Sequence, residues 1–224
     1  MAAVAPSWAA IFDWDGVVVD SAAPHEESWN RLAREEGRAL PPGHFKRGFG
    51  MKNEHIIPNL LGWASDPADV RRLSDRKEAL YRQIVGERGL TVLPGAVELI
   101  SALSAAGVPC AIASSTPREN LDCALERMDP AVRRAFKAIV SSQDVTRGKP
   151  DPQVFLLAAE RLATPPKRCV VFEDTLVGIE AAHAAGMKVV AVATTNPRES
   201  LTSADRVVDR LSEVSVESLA RWFE

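Results

Sequence analysis

Cysteine is scarce: the 224 residues hold three, Cys110, Cys123 and Cys169, an odd number at wide spacing. Neither a disulfide framework nor a Cys-x-x-Cys zinc site is available, and two of the three lie inside apolar runs, where cysteine behaves as a small buried hydrophobe. No apolar run approaches the ~18 residues needed to span a bilayer. No charge of one sign dominates, because 27 Lys plus Arg meet 30 Asp plus Glu for a formal charge of -3. The basic residues fall in scattered pairs such as Arg71-Arg72 and Arg133-Arg134, a pattern that does not track nucleic-acid phosphates. A Gly-x-x-x-x-Gly-Lys-(Ser/Thr) nucleotide loop is absent, as are internal repeats and low-complexity tracts beyond a richness in alanine. Met1 to Phe12 carries no basic stretch and runs into Asp13, unlike a secretory signal. The expectations are a cytoplasmic, reducing compartment, no membrane and no nucleic-acid partner. Oligomeric state leaves no mark on the sequence.

With 46% hydrophobic and 25% charged residues, the composition is that of a soluble globular protein. The length suits one large domain or one domain carrying a smaller insert. Short apolar stretches recur at Trp8 to Phe12, Val108 to Ala113, Ala138 to Val140, Val170 to Phe172, Val189 to Val192 and, weakly, Arg206 to Val208; they read as buried strands. Between them, Ala96 to Ala106, Arg118 to Met128, Gln153 to Leu162 and Leu176 to Ala185 carry 3.6-residue spacing, with Gly107 and Gly186 placed as helix C-caps. This alternation predicts an α/β fold with a Rossmann-like, doubly wound parallel sheet covered on both faces.

One region breaks the rhythm. From Ser21 to Gly89 no strand is evident, while Pro24 to Glu36 and Pro67 to Val85 carry helical apolar spacing. The expectation is a core of residues 1–20 and 90–224 with an all-helical cap inserted at 21–89, hinged near Val19 to Ser21 and Gly89 to Pro94. An insert that follows the first strand directly stands over the carboxyl edge of the sheet, where ligands bind in open α/β folds, so it is a lid candidate.

The chemistry-bearing residues cluster where strands end. Asp13-Trp14-Asp15-Gly16 closes the first strand and places two carboxylates two residues apart, on one face of extended backbone; a solvated turn would carry the same residues. Ser114-Ser115-Thr116-Pro117 leads from the second core strand into a helix, which suits either an anion site or a simple N-cap. Lys149 sits in the rigid turn Arg147-Gly148-Lys149-Pro150-Asp151-Pro152, and Glu173-Asp174-Thr175 closes the fourth core strand. Each alone has a bland reading. Four such ends on one edge of one sheet do not.

Taken together, Asp13-x-Asp15-Gly16-Val17-Val18, Ser114, Lys149 and Glu173-Asp174 resemble the four motifs of the haloacid dehalogenase (HAD) superfamily, in its branch of phosphatases and β-phosphoglucomutase-like enzymes with a helical cap. The resemblance spans essentially the whole chain. It implies a phosphoric monoester hydrolase acting on a small phosphorylated metabolite through an aspartyl-phosphate. Asp13 would be the nucleophile and Asp15 the general acid and base, the acid step requiring a raised pKa. Mg2+ would be held by the Asp13 carboxylate, the Asp15 carbonyl and Asp174, with Glu173 as ligand or as orienter. Ser114, Ser115 and Lys149 would bind the phosphoryl group and offset its charge.

In this superfamily the cap selects the substrate. Asp20-Ser21-Ala22-Ala23-Pro24-His25 is similar to a β-phosphoglucomutase run, with Trp29 also fitting, and implies that His25 is a lid contact that helps trigger Asp15; an exposed helix-start histidine would look the same. The sugar-phosphate mutases carry cations near Phe49 and Asn53 to grip a second phosphate. Their absence here favours hydrolysis, although Lys46, Arg47 or Lys52 stand close by. Lys52-Asn53-Glu54-His55 also resembles the Schiff-base lysine setting of phosphonoacetaldehyde hydrolase, a family that lacks an equivalent of Asp15, as do the metal-free 2-haloacid dehalogenases. A non-catalytic binding module should have lost one of Asp13, Asp15, Lys149 or Asp174, and all are present. The mutase remains the alternative.

Overall fold

A computed structural model describes residues 7–224. The expected core begins at Met1 and the stretch read as unlike a secretory signal spans Met1 to Phe12, so the first six positions of both lie outside the described residues. In chain order the elements are β1 (Ala9–Phe12), β2 (Val19–Asp20), α1 (Ala22–Glu36), α2 (His44–Gly48), α3 (Asn53–His55) and α4 (Pro67–Arg88). There follow β3 (Thr91–Val92), α5 (Ala96–Ala105), β4 (Cys110–Ala113), α6 (Arg118–Leu125), α7 (Pro130–Ala135), β5 (Phe136–Val140) and α8 (Gln153–Arg161). The chain closes with β6 (Cys169–Glu173), α9 (Leu176–Ala184), β7 (Lys188–Val192), β8 (Arg206–Val208) and α10 (Val216–Ala220).

Six strands form one sheet in the order β5-β4-β1-β6-β7-β8, every pair parallel. Each residue of β1, β4 and β6 is buried, because both faces of the sheet are covered; this is why these strands read as unbroken apolar runs. Successive residues serve opposite sides. Ala10, Phe12, Ile112 and Phe172 pack toward α5, α6, α7 and α10, with Phe12 stacked on Phe172 at 4.4 Å, whereas Ile11, Ala111, Ala113 and Val171 pack toward α8 and α9. The strand order reverses at β1, so the crevice beyond Phe12 is a topological switch point.

The segment between β2 and β3 is helical, as its spacing predicts. α1 and α4 form an antiparallel pair whose apolar faces meet at Trp29, Leu32, Leu73 and Leu80. Paired hydrogen bonds from Arg72 to Glu36, at 2.7 and 3.0 Å, and from Arg76 to Glu35, both at 2.7 Å, tie their ends. Asp66 caps α4 by accepting from Ala68 N and Asp69 N, with Pro67 at the first helical position, where its missing N–H costs nothing. α3 continues into a π-helical turn over Ile56–Leu60, a wider winding that accommodates Pro58, which lacks a donor.

Two features lie beyond the sequence-based expectations. The linkers Val19–Asp20 and Thr91–Val92 pair with each other as an antiparallel ribbon, Val19 opposite Val92. The short helices α7 and α10 also appear; α7 carries its own start signal, Asp129 accepting from Ala131 N at 2.7 Å with Pro130 behind it. The three cysteines are free thiols. Among the described residues no helix is long and apolar enough to cross a membrane.

Candidate active site

The strand ends converge as the motif spacing predicts. Asp13 follows β1 directly and is anchored by its backbone N–H, which donates to Phe172 O at 2.9 Å. Asp13, Glu173 and Asp174 each present a carboxylate oxygen within 4.8 Å of the others, and all three are buried. Lys149, 6% exposed, enters this cluster from the turn after β5, with Nζ 3.1 Å from Asp13 Oδ1 and in closer contact with Glu173 Oε1. Burial works against its charge, but Asp13 and Glu173 outweigh it and raise the Lys149 pKa.

Glu173 is fully engaged. Beside Lys149 on Oε1, its Oε2 accepts from Asp174 N at 2.8 Å, Thr175 N at 2.8 Å and Thr175 Oγ1 at 2.9 Å. It therefore ties Lys149 to the start of the turn at Asp174 and Thr175. Gly178 leaves room for that carboxylate, since a Cβ there would overlap it. Gly16, at φ +78°, does the same for Asp174.

Asp13 Oδ1 and Asp174 Oδ1 are buried without a hydrogen-bond donor; the Lys149 contact to Asp13 Oδ1 is an ion pair that lacks hydrogen-bond alignment. Three carboxylates against one ammonium leave an excess of negative charge, which adds to the effect of burial. Burial, opposed by Lys149 but reinforced by Glu173 and Asp15, pushes the Asp13 pKa up to about 7. Burial, Glu173 and Asp13 likewise raise that of Asp174 well above the carboxylate range. Two donor-less carboxylate oxygens in an over-acidic, all-oxygen cluster fit a hard divalent cation.

Asp15 differs from expectation. Burial alone would raise its pKa, but hydrogen bonds from His25, Ser21 and Thr116 bring it down to about 2. Ser21 Oγ donates to Asp15 Oδ1 at 2.5 Å, His25 Nε2 stands 3.3 Å from the same oxygen, and Thr116 Oγ1 donates to Oδ2. The raised pKa expected for the acid step is thus absent from this arrangement, because three donors stabilise the ionised form. Neither Ser21 nor Thr116 stood out as a partner in the sequence.

Ser114 is 1% exposed and its Oγ accepts from Thr116 N at 3.1 Å, organising the turn before α6; Ser115 lines the same cavity. His25 stacks on Tyr81 at 4.0 Å, and its Nδ1 lies 2.7 Å from Lys77 Nζ. Lys77 pairs with Glu78 at 2.9 Å, and Glu78 accepts from Asn53 Nδ2 at 2.7 Å and Asn120 Nδ2 at 2.5 Å. Asn120 belongs to α6, so this network crosses from cap to core.

The cavity between cap and core is about 60 Å³ and is bounded by Asp13, Asp15 and Ser114 below and by His25, Phe45, Phe49 and Lys77 above. Asn53 lines it but spends its amide N–H groups on Ser74 and Glu78. Lys52 does not line it and is bound to core backbone carbonyls instead. Lys77 and Glu78 escaped notice in the sequence, although their signal was there: two charges inside the apolar stripe of Leu73, Leu80 and Tyr81. Thr195 and Asn196 also escaped it; they follow β7 and donate to Asp174 Oδ2 and Asp174 O, the latter at 2.9 Å.

A doubly wound sheet whose carboxyl edge gathers acids and a lysine under a helical lid defines a capped α/β enzyme. Residues 9–186 match the model of the haloacid dehalogenase-like hydrolase family; the chain belongs to that family. It is 42% identical over 95% of its length to the chloroplastic 5-amino-6-(5-phospho-D-ribitylamino)uracil phosphatase of Arabidopsis thaliana, and spans 57% of that relative. It is 33% identical to hexitol phosphatase A of Escherichia coli (strain K12), covering 92% of each chain. To β-phosphoglucomutase of Bacillus subtilis (strain 168) it is 32% identical over 96% of this chain and 95% of that one. Among solved structures it superposes on a family IA, variant 3 HAD hydrolase of Entamoeba histolytica HM-1:IMSS with a TM-score of 0.85 at 25% identity, covering 96% and 98% of the two chains. Phosphoric monoester hydrolases are thus prominent among its full-length relatives.

Proposed function

We propose that the chain is a Mg2+-dependent phosphatase that hydrolyses a small phosphomonoester through an aspartyl-phosphate on Asp13. The observation that carries this reading is the pairing of Asp13, whose buried Oδ1 has no hydrogen-bond donor and stands 3.1 Å from Lys149, with Asp15 on the floor of the same cavity. A carboxylate attacks phosphorus without first losing a proton, and Lys149 offsets the charge of the transferring group. Ser114 and the backbone N–H groups after it hold that group in line. Asp13 and Asp174 would hold the cation, with the Asp15 carbonyl, since the Asp15 carboxylate is spent on Ser21, His25 and Thr116. The cation, when bound, supplies charge neutralisation for two carboxylates facing a phosphate dianion.

Asp15, held ionised, accepts a proton from the water that attacks the aspartyl-phosphate. Its acid half-reaction requires that the His25 and Ser21 contacts give way as the leaving group enters, so that a proton can reside on it. Lid closure keeps bulk water away from the intermediate.

Hydrolysis is favoured over the mutase reading by the cation inventory of the cavity. Lys77 is its one lysine or arginine among the described residues, and it is committed to Glu78 and His25. A bisphosphate that must reorient would find no free cation for its second phosphate. The substrate we assign is a monophosphate with an uncharged leaving group, of the polyol or polyol-heterocycle kind named for the Arabidopsis and Escherichia relatives, with Phe45, Phe49 and Trp29 as apolar walls. Phosphate release from a panel of phosphomonoesters, with and without Mg2+, tests this. Release that requires Mg2+ and vanishes in Asp13→Asn is expected, with neutral polyol phosphates ahead of phosphoglycolate. Primer-dependent conversion of β-glucose 1-phosphate to glucose 6-phosphate would overturn it in favour of a mutase.

A further inference from the structure

The cap is fastened to the core at a point the chemistry does not use. Lys52 precedes α3 and extends Nζ to two core carbonyls, Ser142 O and Val145 O, each at 2.6 Å. Its stem lies over Gly148, where an added Cβ would stand 3.1 Å from Lys52 Cγ and 3.3 Å from Cδ. No carboxylate accepts from this ammonium among the described residues; both of its hydrogen bonds go to backbone carbonyls. Beside it, Gly50 at φ +83° sits against Thr175, where a Cβ would approach the threonine side chain at 3.1 Å.

The segment that Lys52 grips is the one that positions the phosphate site. Ser142 N donates to Thr116 O at 3.1 Å, and Thr116 Oγ1 in turn donates to Asp15. At its other end the segment runs through Gly148 into Lys149. From the core side it is already mounted: Asp144 accepts from Ser141 N at 2.8 Å and from Arg161 at 2.5 Å, and Gln153 Oε1 accepts from Thr146 N at 3.1 Å and Arg147 N at 2.9 Å. Lys52 adds the cap's hold. Asp13, Asp15, Ser114 and Lys149 are all buried beneath the cap, so the cap must lift to admit a phosphorylated polyol, and the two Lys52 bonds must break and re-form in each cycle.

We propose that Lys52 is a positioning residue that latches the closed cap onto the 142–148 segment, setting the placement of Lys149 and of the Thr116–Asp15 contact only when the lid is shut. The proposal rests on the hydrolase reading above for its kinetic consequence, and on geometry alone for its structural one. Lys52→Met keeps the stem and removes the donors, while Lys52→Arg keeps N–H donors for both carbonyls.

Two hydrogen bonds from a charged donor are lost in Lys52→Met. Amide exchange in 49–53 and 142–148 should therefore accelerate by about 10- to 100-fold while β1, β4 and β6 keep their protection. kcat should fall by a comparable factor, with Ki for inorganic phosphate as product inhibitor little changed, and Lys52→Arg should recover both the protection and kcat. Unchanged exchange in these two segments, or an equal loss of protection across the sheet, would overturn the latch. If the Met variant does not fold, wild-type exchange at 49–53 and 142–148 decides the matter: the two segments must open together, and independent rates sink the idea. The exchange measurement needs no turnover, so a wild-type protein that releases no phosphate from any ester would overturn the hydrolase reading and leave the latch judged on exchange alone.

Discussion

Lys77 Nζ stands 2.7 Å from His25 Nδ1, and an ammonium can only donate, so the imidazole accepts there and carries its proton on Nε2, 3.3 Å from Asp15 Oδ1. A buried lysine of the cap thereby fixes the tautomer of a histidine that holds the proposed acid–base residue of the core. Glu78, 5% exposed, balances the charge of Lys77, 3% exposed. The relay runs through side chains from two cap helices and closes on Asn120 of the core, so it is complete only with the lid down.

Breaking the Lys77–Glu78 pair should be costly. Lys77→Met leaves Glu78 buried with only amide donors, and a loss of about 3–5 kcal/mol is expected. The double variant Lys77→Met with Glu78→Gln should regain most of it, because the stranded charge is gone. Urea unfolding of the two single variants and the double variant checks this. Additive losses would mean that the pair is not coupled.

His25→Ala should move the acid unfolding of the protein to higher pH. The Asp15 pKa is depressed to about 2 from an ordinary 3.8, so its contribution to stability is present above the unfolded value and is lost as pH falls through the folded one. Without His25 the folded value rises and the loss begins earlier. Acid titration followed by circular dichroism reads the shift. An unmoved midpoint would show that Ser21 and Thr116 suffice.

The cluster around Asp13 has the opposite sign. With its pKa raised to about 7, Asp13 stabilises the cation-free protein fully below its unfolded value near 3.8 and less and less as pH rises through 7. The Mg2+-induced rise in Tm should therefore grow from about pH 5 to about pH 8, since a cation and a proton compete for the same oxygens. Thermal unfolding at both pH values, with and without Mg2+, tests it, and a gain independent of pH would count against Asp13 as a ligand.

Thr195→Val removes the hydroxyl that holds Asp174 Oδ2. Apparent Mg2+ affinity should fall about 10- to 100-fold, the usual cost of losing a partner that orients a metal ligand. Activity measured against Mg2+ concentration should then recover at saturating cation. A fall in maximal rate with unchanged Mg2+ dependence would place Thr195 elsewhere in the cycle.

Much of this architecture was legible because it is periodic. Strands buried on both faces appear as apolar runs, and helices between them appear at 3.6-residue spacing, so the parallel sheet and the helical insert followed from patterning alone. Asp13, Ser114 and Glu173-Asp174 were legible as a set because each stands where an apolar strand stops, and Lys149 joined them from the Pro-flanked turn that follows another. Thr195 stands at such an end too and was missed, since a hydroxyl there is commonplace until Asp174 is seen beside it.

What the sequence determined by itself, then, is which residues meet at the edge of the sheet, because the strands and the places where they end are local consequences of hydrophobic pattern, and in a parallel sheet those ends share one edge. What only the tertiary structure decided is their electrostatic state and their cap partners. Asp15 is ionised because Ser21, His25 and Thr116 arrive from separate segments; Glu173 is spent on Lys149 and backbone N–H groups; and Lys52 faces core carbonyls instead of substrate. A pKa and a hydrogen-bond partner depend on the balance of burial against every donor and charge within a few ångströms, and those neighbours are brought together by packing across long stretches of chain.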